Sequence, residues 1–213
     1  MNKMILTALA TLLAATCLTA CQPDTNSKQP TAVAEASQTY ADKSFQGTNV
    51  VKDKIGGEFT LTDGSGQPFA LSSLKGKLVL ITFGYTHCPD VCPTQLLAFK
   101  DAITQLGDQA KDVTAVFVSV DPERDTPTLV SKYAKMFNPD FIGLTATGDQ
   151  DLEAIKTQYR IISSKIEGKS AATYLVDHSA GAYVLDKNGQ VVLFEPHGNT
   201  ATQIADDLKI LLE

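Results

Sequence analysis

The chain of 213 residues has no tryptophan, only three histidines and four cysteines, and its 18 Lys and Arg are outnumbered by 24 Asp and Glu. The acidic balance, without a cluster of basic residues interleaved with aromatics, excludes a phosphate-tracking surface, so nucleic acid is not an expected partner. The apolar run Met4 to Ala15 is too short to span a bilayer as a mature helix. No internal repeat is visible. What remains, 43% hydrophobic and 20% charged, suits one soluble domain with a sizeable core.

The first twenty residues read as an address rather than as part of the fold. Lys3 gives a weakly positive start, and the apolar run ends in Leu18-Thr19-Ala20-Cys21. Small residues before a cysteine at that point resemble the lipobox of bacterial lipoproteins. The resemblance implies cleavage before Cys21, a lipid on its sulfur, and an extracytoplasmic domain anchored to a membrane of the bacterial cell envelope. An ordinary secretory signal with a chance cysteine is the alternative. Residues 21–45, rich in Ser, Thr, Gln, Ala and Pro, form a flexible tether of about 25–30 Å. The domain proper is expected at 46–213. Cys17 leaves with the signal and Cys21 carries the lipid, so the soluble part keeps two thiols, Cys88 and Cys92.

Those two lie in Leu78 to Gln95, LVLITFGYTHCPDVCPTQ. Leu78 to Phe83 is an apolar run of strand length, stopped by Gly84. Pro93 opens a helical pattern of Leu96, Leu97, Ala98, Ile103 and Leu106, and proline suits a first helical position, which puts Cys92 near the N-cap. Pro89 biases Cys88 towards extended backbone in the loop before the helix. A helix N-terminus stabilises thiolate, the form that binds metal and attacks disulfides. A bridge between the pair would close a very short loop and stabilise the fold little, so a purely structural disulfide is the weaker explanation.

The rest of the chain reads as α/β. Residues 57–63 and 67–71 form an N-terminal β-hairpin around Gly64-Ser-Gly66. Val113 to Val120 is a strand buried on both faces, parallel to the first through a right-handed crossover. Thr126 and Pro127 start a helix reaching about Phe137. A short strand covers Phe141 to Leu144, and Asp149 caps a helix to Gln158. Residues 160–174 lack a clean period and suggest an inserted excursion, read as a hairpin. Strands Ala182 to Leu185 and Gln190 to Phe194 flank Asn188-Gly189, a strong hairpin signal, and Thr200 or Thr202 caps a final helix. A cysteine pair after the first central strand, then βαβ, an antiparallel hairpin and a closing helix, is the order of a thioredoxin-like domain with a central mixed sheet flanked by helices.

Redox templates fit the pair badly. Thioredoxin-type oxidoreductases use C-x-x-C with a tryptophan before it and a proline opposite, where this chain has three intervening residues and Ser179-Ala-Gly181. Peroxiredoxins place threonine three residues before the reactive cysteine, where Tyr85 stands. Metal binding needs a third ligand. His178 precedes the strand that opens the last hairpin, a loop that faces the cysteine loop in such a sheet. His87 is expected to support structure, and His197 to be an ordinary loop residue. Two thiolates and an imidazole make a soft set that favours copper, Cu(I) or Cu(II), over zinc.

Three blocks, Phe83 to Pro93 (FGYTHCPDVCP), Ser119 to Pro127 (SVDPERDTP) and Tyr174 to His178 (YLVDH), together resemble the Sco/SenC family of copper chaperones for cytochrome c oxidase assembly. The resemblance covers most of 56–213, and the family's copper ligands map onto Cys88, Cys92 and His178. The family's usual phenylalanine is Tyr at position 85. The resemblance implies a tethered assembly factor, rather than an enzyme with turnover, that helps metallate the Cu-A centre of oxidase subunit II and is served by a copper donor protein and a thiol reductant. Asp177 is a candidate for orienting His178. Asp121, Arg124 and Asp125 form a charged loop that either caps a turn and helix or meets a partner; Asp121 is also a candidate for supporting the metal ligands. The competing function is a thiol–disulfide reductase acting on partner cysteines or in oxidative-stress defence.

Overall fold

The two apolar runs expected to be buried on both faces lie side by side as parallel strands, and every residue of both is buried. The structure, a computed structural model, describes residues 39–40, 43–167 and 174–213. Its strands are β1 (Thr48–Asn49), β2 (Thr60–Thr62), β3 (Pro68–Ala70), β4 (Leu78–Gly84), β5 (Val113–Ser119), β6 (Ile142–Leu144), β7 (Ser163–Ile166), β8 (Leu175–His178), β9 (Ala182–Leu185) and β10 (Val191–Glu195). Its α-helices of a turn or more are α1 (Val91–Thr104), α2 (Pro127–Lys135), α3 (Leu152–Gln158) and α4 (Ala201–Leu212).

Six strands form a mixed sheet in the order β1-β10-β9-β4-β5-β6. β4, β5 and β6 run parallel, and β9, β10 and β1 continue the sheet antiparallel. Successive side chains of a strand point to opposite faces, and this alternation divides the core. Leu78 and Leu80 of β4, with Ala115 and Phe117 of β5, pack under α1, α2 and α4. Val79, Ile81 and Phe83, with Val116 and Val118, pack under α3 and the β2–β3 hairpin. The thioredoxin-like arrangement read from the sequence is present, and both parallel crossovers place the C-terminal ends of β4 and β5 at one rim.

Several boundaries differ from the sequence reading for local reasons. α1 starts at Val91, so Cys92 is inside the first turn and Pro93 follows it; proline is tolerated there because first-turn N–H groups have no helical acceptor. The cap of α3 is Asp151 rather than Asp149, its carboxylate accepting from the Ala154 N–H at 2.9 Å. Thr126 and Thr200 cap α2 and α4, the latter in a reciprocal capping box with Gln203. The excursion is an antiparallel pair, β7 with β8, separate from the central sheet; residues 168–173 between them lie outside the described residues. β1, of two residues, is too short to carry a periodic signal in the sequence. Tyr40 and Phe45, within the expected tether, pack against the α1–α4 side of the core. The signal segment and Cys21 lie outside the described residues, among which no helix is long and apolar enough to cross a membrane.

The chain ahead of β1 is fastened by a carboxylate. Asp207 of α4, 1% exposed, accepts the N–H groups of Gln46 and Gly47 at 2.8 and 2.7 Å. Facing it is Glu195, fully buried at the end of β10, which accepts from the Asn199 amide at 2.8 Å. Burial raises the Glu195 pKa from 4.5 to about 7, and the Asp207 charge adds to the rise. The folded chain thus holds this proton more tightly than the unfolded one. Its contribution to stability is complete below the ordinary carboxylate value and is lost as pH rises towards about 7. Glu195→Gln is expected to remove that slope and to be more stable than wild type at pH 8 by on the order of 1–3 kcal/mol, read by denaturant titration at pH 4.5 and 8.

Candidate metal centre

The parallel strands deliver the thiols. β4 ends at Gly84, and the chain turns through Tyr85 to Asp90 before α1 begins. Cys88 is half-buried in that turn and Cys92 is 3% exposed. The Cys88 sulfur accepts the Cys92 N–H at 3.5 Å, so a thiol, not the Asp90 side chain, caps one of the free N–H groups of α1. The helix begins before Pro93 because the Thr94 N–H already donates to the Asp90 carbonyl at 3.2 Å. Gly84 makes room for the buried sulfur: a Cβ there would lie 2.5 Å from Cys92 Sγ and 2.9 Å from the Phe117 ring.

β8 delivers the imidazole. Alternation along β8 turns Val176 and His178 inward and leaves Leu175 and Asp177 exposed. His178 Nε2 stands 3.5 Å from Cys92 Sγ across 86 residues of sequence. The ring's other nitrogen, Nδ1, meets the Ser179 carbonyl at 2.9 Å, which favours a proton on Nδ1 and leaves Nε2 as a lone-pair donor towards the sulfurs. The Tyr85 ring packs edge-on against the imidazole, centroids 5.9 Å apart. The potential ligand atoms of Cys88, Cys92 and His178 all lie within 4.8 Å of one another. One soft ion bridging them is the chemistry this donor set fits.

The two thiols are not equivalent. The Cys88 pKa is lowered to about 4, first by the hydrogen bond from the Cys92 thiol, with the Asp90 and Cys92 N–H groups and the imidazole adding to it against the opposing effect of burial. The same bond and deeper burial push Cys92 far above an ordinary thiol. The pair therefore carries one negative charge, held on the more exposed sulfur. Tyr133 lies under them; its buried hydroxyl has no hydrogen-bond partner among the described residues, and burial followed by the sulfur charges keeps it protonated.

The other sequence candidates fall outside the trio. The expectation that Asp177 orients the imidazole is corrected: it sits on the outer face of the hairpin, and a backbone carbonyl does the orienting. The idea that Asp121 and Asp125 meet a partner is also corrected, since they are 1% and 0% exposed. Asp125 accepts from the Thr86 N–H at 2.9 Å, the Thr86 hydroxyl at 2.6 Å and the Ser119 hydroxyl at 2.7 Å, which pins the cysteine turn to the end of β5. Asp121 does not touch the trio; it holds Arg124 and the Tyr174 hydroxyl. His87 is about half exposed, its Nδ1 3.1 Å from the Thr86 hydroxyl and 3.7 Å from Asp125. His197 lies 3.4 Å from Gln95. Sequence reading noticed Tyr85 as a departure but missed that its ring meets the imidazole; its place between the apolar strand and the cysteines was the available signal.

Two outcomes follow from this geometry. Alkylation of Cys88 in the metal-free protein is expected to be nearly independent of pH from 6 to 8, whereas in Cys92→Ala, without the thiol donor, the rate should climb ~tenfold per pH unit towards an ordinary thiol pKa. Gly84→Ala is expected to destabilise the fold by about 1–3 kcal/mol through overpacking, measured by denaturant unfolding.

Comparison with known proteins agrees with this geometry. Residues 47–213 match the family model described as SCO1/SenC. The SCO2-like protein of Rickettsia felis is 39% identical over 145 residues, 67% of this chain and 70% of that one. Bradyrhizobium japonicum ScoI, solved with copper bound, is 41% identical with a TM-score of 0.67, over 74% of this chain and 99% of its own. BsSco, described as a member of the Sco family of cytochrome c oxidase assembly proteins and as having a disulfide switch, is 25% identical with a TM-score of 0.57, over 79% and 96%. Thiol pair, imidazole and thioredoxin-like scaffold thus stand together in a chain that belongs to the SCO1/SenC family.

Proposed function

We propose that this protein carries one copper ion on Cys88, Cys92 and His178 and delivers it during assembly of cytochrome c oxidase, to the Cu-A centre of subunit II. The observation that carries the reading is the convergence of two sulfurs and one imidazole nitrogen within 4.8 Å at a rim of the sheet. ScoI, with copper bound, supports the choice of metal, and the description of BsSco supports a place in cytochrome c oxidase assembly; the Cu-A centre of subunit II is the finer part of the proposal. Copper is cargo here. Cys88 already holds a negative charge, Cys92 gives up its proton on binding, and Nε2 offers a lone pair because Nδ1 is engaged by Ser179. The half-buried positions of Cys88 and His178 leave one side of the site open to a donor or acceptor protein. The lipobox-like Leu18 to Cys21 supports a lipid on Cys21 that tethers the domain outside the cytoplasm at a membrane of the cell envelope.

A second reading has its own observation in its favour. Cys88 is an accessible thiolate with a pKa of about 4 in front of a buried, protonated Cys92. Such a pair can reduce a partner disulfide: the Cys88 thiolate attacks one sulfur and releases the other as a thiolate. Cys92, losing its proton, then displaces the partner and leaves Cys88 and Cys92 joined. The partner gains two electrons, and an external thiol reductant restores the pair. Reduced cysteines are also what copper loading requires, so the two activities are compatible.

His178→Ala separates them. In the copper reading the reduced wild-type protein binds one copper ion, and the variant binds Cu(II) about 100-fold more weakly, the equivalent of ~3 kcal/mol, while its cysteines still cycle. Oxidase assembly that survives His178→Ala but fails in Cys88→Ser or Cys92→Ser would sink the copper reading in favour of the reductase. The measurements are copper stoichiometry and competition titration beside oxidase activity in cells carrying each variant.

A further inference from the structure

His178 hangs on a hairpin, β7–β8, whose strands pair with each other and not with the six-stranded sheet. A two-stranded hairpin alone is marginal in water. Its distance from the cysteines therefore depends on side chains, and the polar ones converge on the turn from Asp121 to Asp125, between β5 and α2.

The Arg124 guanidinium lies 3.5 Å from the centre of the Tyr174 ring. Its Nη1 donates to the Tyr174 carbonyl at 2.8 Å, and its Nε to Asp121 at 2.5 Å. The Tyr174 hydroxyl donates to the other oxygen of Asp121 at 2.6 Å. Tyr174 is the residue just ahead of β8, so this knot fixes the strand that carries His178. Arg124 also stands 5.6 Å from the Tyr85 ring, the same ring that meets His178 edge-on. An ion pair from β7, Lys165 with Glu123, reaches the same turn but is too exposed to contribute much. The cysteine half is held by the next residue of the turn, Asp125, through Thr86 and Ser119. Its N–H donates back to the Asp121 carbonyl at 3.0 Å, so the two carboxylates belong to one stiff turn.

We propose that the Asp121–Asp125 turn is a two-sided clamp that presets the approach of the imidazole to the sulfurs, with Arg124, stacked on Tyr174, as the positioning residue for His178. The clamp rests on the copper reading only for its metal readout. Arginine is suited to the post because its planar fork can stack, bond a carbonyl and pair with a carboxylate at once; lysine cannot do all three.

The test compares the reduced protein with Arg124→Ala, Arg124→Lys and Tyr174→Phe, the last keeping the ring stack and losing only the bond to Asp121. Amide hydrogen exchange without metal reads the hairpin, and Cu(II) titration with nitrogen hyperfine couplings reads the site. In Arg124→Ala the amides of 175–178 are expected to exchange at least about tenfold faster while β4 and α1 stay protected. Copper affinity should fall roughly 10–100-fold with loss of the nitrogen signature. Arg124→Lys should fail to rescue, and Tyr174→Phe should fall between. Unchanged hairpin exchange in Arg124→Ala, or a rise spread equally over β4, β5 and α1, would overturn the clamp. Full copper affinity with a freed hairpin would overturn its role at the site. A wild-type protein that binds no copper overturns the functional reading instead, and the exchange measurement then decides the clamp by itself.

Discussion

The 3.5 Å approach of the Cys92 sulfur to the His178 imidazole joins two parts of the fold that no strand ladder connects. The sulfurs belong to the β4–α1 junction, anchored because β4 is a fully buried inner strand of the sheet, hydrogen-bonded on one side to β5 and on the other to β9. The imidazole belongs to a hairpin laid over one face of that sheet by Val176 and Tyr174. A ligand set divided in this way has one rigid half and one half that is only as well placed as its side-chain contacts. Much of the surrounding structure serves that second half.

Electrostatics at the rim follows from where the charge can be solvated. Two sulfurs that share a proton place the negative charge on Cys88, which sees water and the N–H groups at the start of α1, and keep Cys92 neutral between Gly84 and the aromatic layer of Phe117 and Tyr133. Buried carboxylates nearby are tolerated because donors surround them: Asp125 receives three, and Asp121 receives the Tyr174 hydroxyl and Arg124. The site is therefore prepared for a soft cation and equally for nucleophilic attack by one thiolate.

Reading the chain without coordinates went furthest where the determinants were local. The continuous apolar runs announced β4 and β5, Thr126-Pro127 and Thr200 announced helix starts, and Asn188-Gly189 announced the last hairpin. Boundaries moved where a side chain reached the backbone in a way propensity does not register. The Cys88 sulfur took over the cap of α1, and Asp151 displaced Asp149 at α3. β1 has two residues and pairs with β10, nearly 150 positions away, so nothing in its own sequence could announce it. The orientation of Asp177 depended on which way the β8 pleat faced, and that was settled by Val176 turning into the core.

The sequence by itself determined the spacing of the two thiols, their place at the junction of a buried strand and a helix, and the soft chemistry open to them, because these depend on neighbours within one turn of chain. It also nominated His178 as the third donor, through the order of elements and the motif around it, and the packed structure brings that imidazole to the sulfurs. Only the tertiary structure decided that Ser179 rather than Asp177 orients it, and that Asp121, Arg124 and Asp125 face inward as structural partners of Tyr174 and Thr86. The contacts of Thr86, Tyr174 and Cys92 with their partners require segments some 40 to 90 residues apart to be packed together, and packing of that range follows from the burial of whole elements rather than from any local pattern; even the adjacent Ser179 carbonyl depends on which way the hairpin faces the core.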